Sequence, residues 1–311
     1  MNNYIKIKDL LSVESSVQEA IALKWNPYKY KKLGTHKTLV MLFFNASLRT
    51  RLSTEKAAKH LGMDVIVLNV TDAWQLEFES GVVMNLDKSE HVKEAAQVIS
   101  QYADILAVRA FPSLTDKEKD MSEWILSSFV RYATVPIVNM ESATGHPLQA
   151  LADAITIEEL KTKKNPKVVL SWAPHPKVLP HAVANSFIEM MQSIEVDFSI
   201  THPEGYELNP EIVKDTPVNY DQEAALKDAD FVYVKNWSNY KDYGKITSQD
   251  SRWMMTQEKL GNAKFMHCLP VRRNVVVEDA VLDSDQSVVI AQSNNRTYAA
   301  QIVLKKILEN G

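Results

Sequence analysis

The stretch Ser47-Leu48-Arg49-Thr50-Arg51 places two hydroxyls and two guanidinium groups side by side. It follows the apolar run Thr38 to Phe44 and precedes apolar residues at Leu52, Ala57, Ala58 and Leu61, with Gly62 as a stop. That order predicts a strand, a short loop and a helix capped near Ser47. The start of a helix exposes unpaired N–H groups at the positive end of its dipole and therefore attracts anions. Guanidinium forks match phosphate oxygens in pairs, and hydroxyls add neutral donors beside them. Read alone, the same stretch also fits a capped surface helix with solvated arginines.

Further candidates fall where strands are expected to end. Arg109 closes the run Asp104–Val108, and Glu141, His146 and Gln149 follow Val135–Val138. Lys235-Asn236-Trp237 follows Val234, His267-Cys268-Leu269-Pro270 ends another run, and Arg296 opens the last helix. Open α/β sheets bind ligands outside the carboxyl ends of their strands. Several cations gathered there with one histidine and one glutamine suit a doubly charged phosphate carrying a small polar group. Each residue also has a plainer role available. His146 can be a helix-entry residue, Gln149 and Lys235 can be solvated, and Arg109 and Arg296 can form surface ion pairs. Cys268 reads as a small strand-end hydrophobe rather than a nucleophile.

The elements that must position these groups alternate. A helix is expected over Asp9–Lys24, followed by strands at Thr38–Phe44, Asp64–Leu68, Asp104–Val108 and Val135–Asn139, with helices over 92–102 and 122–132. Val70 to Glu90 shows no period. A loop of that length in a compact domain is usually functional, and it holds Trp74 and Glu90. A helix over 148–160 leads into the lysine-rich turn Lys161–Pro166. The βα rhythm then restarts, with strands at Val168–Trp172, Val196–Ile200, Phe231–Val234, Lys264–His267 and Val288–Ala291, and a closing helix over Thr297–Leu308. Strands alternating with helices predict an α/β fold of doubly wound parallel sheets.

Composition narrows the classes. A chain of 311 residues suggests two domains. A formal charge of −4 gives no reason to expect nucleic acid or an acidic membrane as partner. Cys268 is the single cysteine, which excludes an internal disulfide and a cysteine-rich zinc site. The amino terminus has no signal-peptide core and no run suits a membrane span, so the expected compartment is the cytoplasm. No strand is followed by G-x-G-x-x-G and no Walker loop is present, which sets aside dinucleotide and kinase chemistry.

At this point the motifs resemble a known family over essentially the whole chain: the aspartate/ornithine carbamoyltransferases. Ser47–Arg51 looks like their Ser-x-Arg-Thr-Arg loop, His146-Pro147-Leu148-Gln149 like their His-Pro-x-Gln element, and His267–Pro270 like the His-Cys-Leu-Pro of the ornithine branch. The region Tyr233–Trp237 departs from the Asp-x-x-x-Ser-Met-Gly stretch of ordinary ornithine enzymes and carries Lys235 instead. A lysine suits a carboxylate and not a free α-amino group, so the chain resembles the N-acylornithine branch, acetyl or succinyl.

The resemblance implies two doubly wound parallel-sheet domains in the carbamoyltransferase fold. Residues 1–150 would bind carbamoyl phosphate, 151–292 would bind acylornithine, and 293–311 would return as a helix to the first domain. It implies a homotrimer whose loop holding Trp74 reaches a neighbour's site, and it calls for no metal or cofactor. Ser47, the Leu48 backbone, Arg49, Thr50, Arg296 and a neighbour's Trp74 would hold the phosphate. Arg109, His146 and Thr50 would polarise the carbamoyl carbonyl, while Gln149 and the Cys268 and Leu269 carbonyls would bind its NH₂. Lys235 would take the α-carboxylate, with Glu141 and Arg273 as further contacts to the acylornithine. Glu90 resembles the acetyl-specific enzymes, since succinyl-specific ones carry a proline there. A glutamate would also repel a second carboxylate ~4 Å away by roughly 4 kcal/mol at an effective dielectric of 20. N-acetylornithine is thus the expected acceptor, with N-succinylornithine and then plain ornithine or aspartate as alternatives. A non-catalytic phosphate-ligand binding protein is the alternative from another class.

Overall fold

The computed structural model describes residues 1–70 and 75–310. By compactness the chain divides into two units, Met1–Leu148 with Arg296–Gly311, and Gln149–Asn295.

The first unit is built on four parallel strands, β1 (Thr38–Phe43), β2 (Asp64–Asn69), β3 (Ile105–Arg109) and β4 (Ile137–Glu141), in the order β2-β1-β3-β4. Leu39 to Phe43 are all buried, the near-continuous apolar run of a parallel strand covered on both faces. Val40, Leu42, Leu106 and Val108 pack with Val92, Ala95, Ala96 and Ile99, and with Leu126 and Phe129. Those partners come from α3 (Val92–Ser100) and α4 (Trp124–Tyr132). Burying a leucine or valine side chain contributes about 1.5–3 kcal/mol, so this layer anchors the strand ends that carry the polar groups. The opening helix, α1, spans Val13–Trp25, and α2 spans Leu48–His60. Gly62 stops α2 at φ +83°, and a Cβ there would meet the Lys31 carbonyl at 2.0 Å.

The second unit carries five parallel strands: β5 (Lys167–Trp172), β6 (Asp197–Thr201), β7 (Val218–Asn219), β8 (Phe231–Lys235) and β9 (Lys264–Met266), in the order β9-β8-β5-β6-β7. Its helices include α5 (Pro147–Leu160), which begins just before the unit boundary, and α6 (Ala182–Met191). The last helix, α7, runs from Val289 to Leu308. Its later half belongs to the first unit, where Gln301 meets His60 at 2.9 Å and Lys305 and Lys306 pair with Glu19.

The strand expected at Val288–Ala291 is not formed. Ser287 makes an isolated bridge to Phe265 and the Val288 N–H donates to the Phe265 carbonyl, but the helix starts at Val289. A short β-branched run is a weak prior that tertiary context overrides. Arg296 therefore lies inside α7 and does not begin it. The short strand β7 was not expected. Within the long segment, Leu76–Glu77 pairs with Glu90–His91, whereas Trp74 lies outside the described residues.

Candidate active site

In the first unit, the Ser47 hydroxyl caps α2 by accepting from the Thr50 N–H at 3.3 Å. Thr50 is buried, and its hydroxyl receives Arg296 Nη2 at 2.6 Å. The last helix thus delivers one guanidinium to the loop-and-helix start where an anion is expected. Arg49 lies beside them, half-buried.

Arg109 ends β3 opposite Phe43 of β1. Its Nη1 donates to the carbonyls of Asn45 (2.7 Å) and Ala46 (2.8 Å), which shapes the turn leading into Ser47. Its Nη2 donates to Glu141 Oε2 at 3.0 Å. An irregularity in the β3–β4 register sets Glu141, not Met140, opposite Arg109, the re-aiming of a side chain that a bulge provides. Among the described residues, the buried Nε of Arg109 has no acceptor.

His146 is buried, with Nε2 3.5 Å from Glu141 Oε2. That proximity is not an ion pair. Burial first, then the positive charges of Arg296 and Arg109, hold the imidazole well below its ordinary range and keep it neutral. A neutral imidazole can present one N–H to a substrate oxygen without contributing charge. The turn before it is held by Glu123, whose carboxylate accepts from the Ser142 hydroxyl (2.8 Å), from the N–H groups of Ala143 (3.2 Å) and Thr144 (2.8 Å), and from the Thr144 hydroxyl. Sequence reasoning missed Glu123, since nothing near it in the chain marks a partner twenty residues away.

In the second unit, Gln149 lies in the first turn of α5, and its Nε2 donates to Asp153 at 2.7 Å. Lys235, the last residue of β8, is buried, with Nζ donating to the Asn236 carbonyl at 3.1 Å. The turn behind it is pinned by Asn236 Nδ2 on the Ala173 carbonyl (2.7 Å) and by Trp237 Nε1 on the Tyr206 carbonyl (2.8 Å). His175 sits within electrostatic reach of this lysine. Burial holds its imidazole below the ordinary range against a bond to the Lys177 carbonyl, and Lys235 and Arg272 push it the same way as burial. Cys268 is partly exposed, and the Leu269 N–H is taken by His267 Nδ1 at 2.8 Å.

Arg273, expected as a contact to the acylornithine, is engaged by neighbouring carboxylates. It is exposed and forked onto Asp279 and Asp283 at 2.7–3.0 Å, and those carboxylates raise its already high pKa. Its neighbour Arg272 is the arginine that bears on His175. Two adjacent arginines cannot be ranked from sequence alone, because what separates them is a pair of carboxylates supplied by the following turn. Glu90 is partly buried and pairs with Leu76.

These motifs have counterparts elsewhere. Residues 2–159 match the carbamoyl-P binding domain of the aspartate/ornithine carbamoyltransferases, and residues 180–307 match the Asp/Orn binding domain of the same family. The chain belongs to the aspartate/ornithine carbamoyltransferase family. As a carbamoyltransferase it is 49% identical to an N-succinylornithine carbamoyltransferase of Bacteroides thetaiotaomicron, over 99% of each chain. It is 35% identical to an N-acetylornithine carbamoyltransferase of Xanthomonas axonopodis pv. citri, over 89% of each. Its structure matches a solved N-acetyl-L-ornithine transcarbamylase in which one glutamate is replaced by proline, complexed with carbamyl phosphate and N-succinyl-L-norvaline. That match has a TM-score of 0.91 at 33% identity, covering 99% of this chain and 100% of that one.

Proposed function

We propose that this carbamoyltransferase moves the carbamoyl group of carbamoyl phosphate to the side-chain amine of an N-acylornithine, with N-succinylornithine as its preferred acceptor. The observation that carries the acyl choice is the higher identity, 49% against 35%, to the enzyme named for the succinyl substrate. This departs from the acetyl preference that Glu90 alone predicts. N-acetylornithine stands as the second reading, favoured by that one residue.

In this reading Ser47, the Leu48 N–H, Arg49, Thr50 and Arg296 hold the phosphate, joined by Trp74 of a neighbouring subunit in a cytoplasmic homotrimer. Arg109, Thr50 and His146 face the carbamoyl carbonyl oxygen and stabilise the negative charge that develops there on attack. The neutrality of His146 supports a hydrogen-bonding role over proton transfer. Gln149 and the carbonyls of Cys268 and Leu269 accept from the carbamoyl NH₂. Lys235 takes the α-carboxylate of the acceptor, and Arg272 replaces Arg273 as the second cation for that substrate. The amine nitrogen bonds to the carbamoyl carbon, the bond from that carbon to the phosphate oxygen breaks, and the departing phosphate takes the amine proton.

The test is an acceptor screen. Purified protein is given carbamoyl phosphate with succinylornithine, acetylornithine, ornithine or aspartate, and acceptor-dependent phosphate release is measured. The highest kcat/KM is expected with succinylornithine. A higher value with acetylornithine favours the second reading. A preference for ornithine or aspartate, or no acceptor dependence, overturns the proposal.

A further inference from the structure

Four residues after Gln149 on α5 lies Asp153, fully buried. One carboxylate oxygen, Oδ1, receives two amide nitrogens: Gln149 Nε2 at 2.7 Å and Gln292 Nε2, from α7, also at 2.7 Å. Gln292 in turn accepts, through Oε1, from the His267 N–H at 3.0 Å. His267 then receives the Leu269 N–H on Nδ1 at 2.8 Å, and Leu269 adopts a left-handed backbone at φ 53°. Gln149, Gln292 and His267 are all buried. A single aspartate therefore joins the His-Pro-x-Gln element to the His-Cys-Leu-Pro turn by an unbroken series of hydrogen bonds.

A carboxylate can only accept, so an amide bonded to it must turn its nitrogen inward and its carbonyl oxygen the other way. Neither glutamine can flip without leaving Asp153 facing a carbonyl oxygen. Stability alone gives little reason to place a carboxylate there, because taking a charge out of water is costly and an apolar side chain of similar size often serves as well. We propose that Asp153 is a positioning residue for the carbamoyl amide. It sets the direction of the Gln149 carbonyl oxygen and, through Gln292, the placement of the turn that carries the Cys268 and Leu269 carbonyls. The inference rests on the transferase reading above, in which those three oxygens accept from the carbamoyl NH₂.

A double-mutant cycle tests it. Asp153→Ala is expected to lower kcat/KM for carbamoyl phosphate by about 10²-fold, the scale of a small misplacement of a reacting group. Inhibition by inorganic phosphate should stay at the wild-type concentration, since the phosphate contacts lie elsewhere. Asp153→Asn keeps an acceptor oxygen and should recover most of the loss. Because Asp153 acts through Gln149, the Gln149→Ala/Asp153→Ala protein should lose clearly less than the product of the two single losses. Should Asp153→Ala not fold, Asp153→Leu, closer in size, takes its place in the cycle and the same pattern decides. Losses that multiply, or an Asp153→Ala protein within about twofold of wild type, overturn the inference while the transferase reading stands. Wild-type protein without acceptor-dependent phosphate release overturns both.

Discussion

The region around Ser47 in the first unit and the segment that carries Glu90 are built in opposite ways. Around Ser47, the groups proposed to hold the donor substrate are fixed by partners within the fold. Arg109 is tied to two carbonyls and Glu141, Arg296 to Thr50, and Ser47 to its own helix. The segment from 75 to 91 joins the core through Leu76 and Phe78 and pairs Leu76–Glu77 with Glu90–His91, while Val82, Val83, Met84 and Leu86 stand exposed. One region is fixed by hydrogen bonds within the fold. The other keeps apolar side chains in water, as surfaces do that another molecule covers. The proposed donor end thus rests on internal bonds, and the end proposed to choose the acyl group rests on a segment with a short pairing and an exposed apolar stretch.

The largest effect is expected where the geometry is most rigid. His146→Ala should reduce kcat by about 10²–10³-fold with little change in carbamoyl phosphate binding, the usual cost of one donor to a developing oxyanion. An equal loss in KM and none in kcat would make His146 a ground-state contact. Arg49→Ala should weaken carbamoyl phosphate binding by about 10–10²-fold, from the loss of one charge-assisted hydrogen bond. Pairing it with Trp74→Ala bears directly on the contrast between regions. If the proposed trimer with shared sites forms, mixtures of the two impaired chains should regain activity at the interfaces that combine an intact Trp74 with an intact Arg49. If mixtures stay inactive under a protocol that restores wild-type chains, the shared site fails.

A smaller change is expected from Glu90→Pro, because proline fixes φ and removes one N–H in a two-residue pairing. It should shift the kcat/KM ratio further toward succinylornithine and leave carbamoyl phosphate binding unchanged. A shift toward acetylornithine would remove the electrostatic argument about Glu90. The smallest effect concerns pH. The folded state resists protonating His146 and the unfolded state does not, so its contribution to stability is present above about pH 6.5 and is lost as pH falls below it. Urea midpoints of wild type and His146→Gln should converge as the solution is acidified through that range, and parallel curves would contradict the lowered pKa.

Much of the first region was legible in the sequence because its signals are local. The capping serine, the apolar run before it and the glycine after the helix are read within a few residues of one another, and the repeated strand–helix rhythm carried both parallel sheets. What escaped was decided by distant partners. Glu123 is recognisable only with the turn at 142–144 in place, and the pairing of Glu141, itself a sequence candidate, with Arg109 only with the irregular register beside it. The pairing of Arg273 with Asp279 and Asp283 likewise depends on a turn that the sequence does not show. The misplaced strand at Val288 shows the same limit, since its apolar run fits either a strand or the start of a helix and the residues around it do not choose.

Glu141 gives Arg109 a resident counter-ion. Under the proposed function Arg109 meets the carbamoyl carbonyl oxygen, so that guanidinium is shared between an internal carboxylate and the oxyanion that develops on attack. The carboxylate takes up part of the cation's charge and fixes the direction of its fork. Charge is thereby exchanged for orientation at that position.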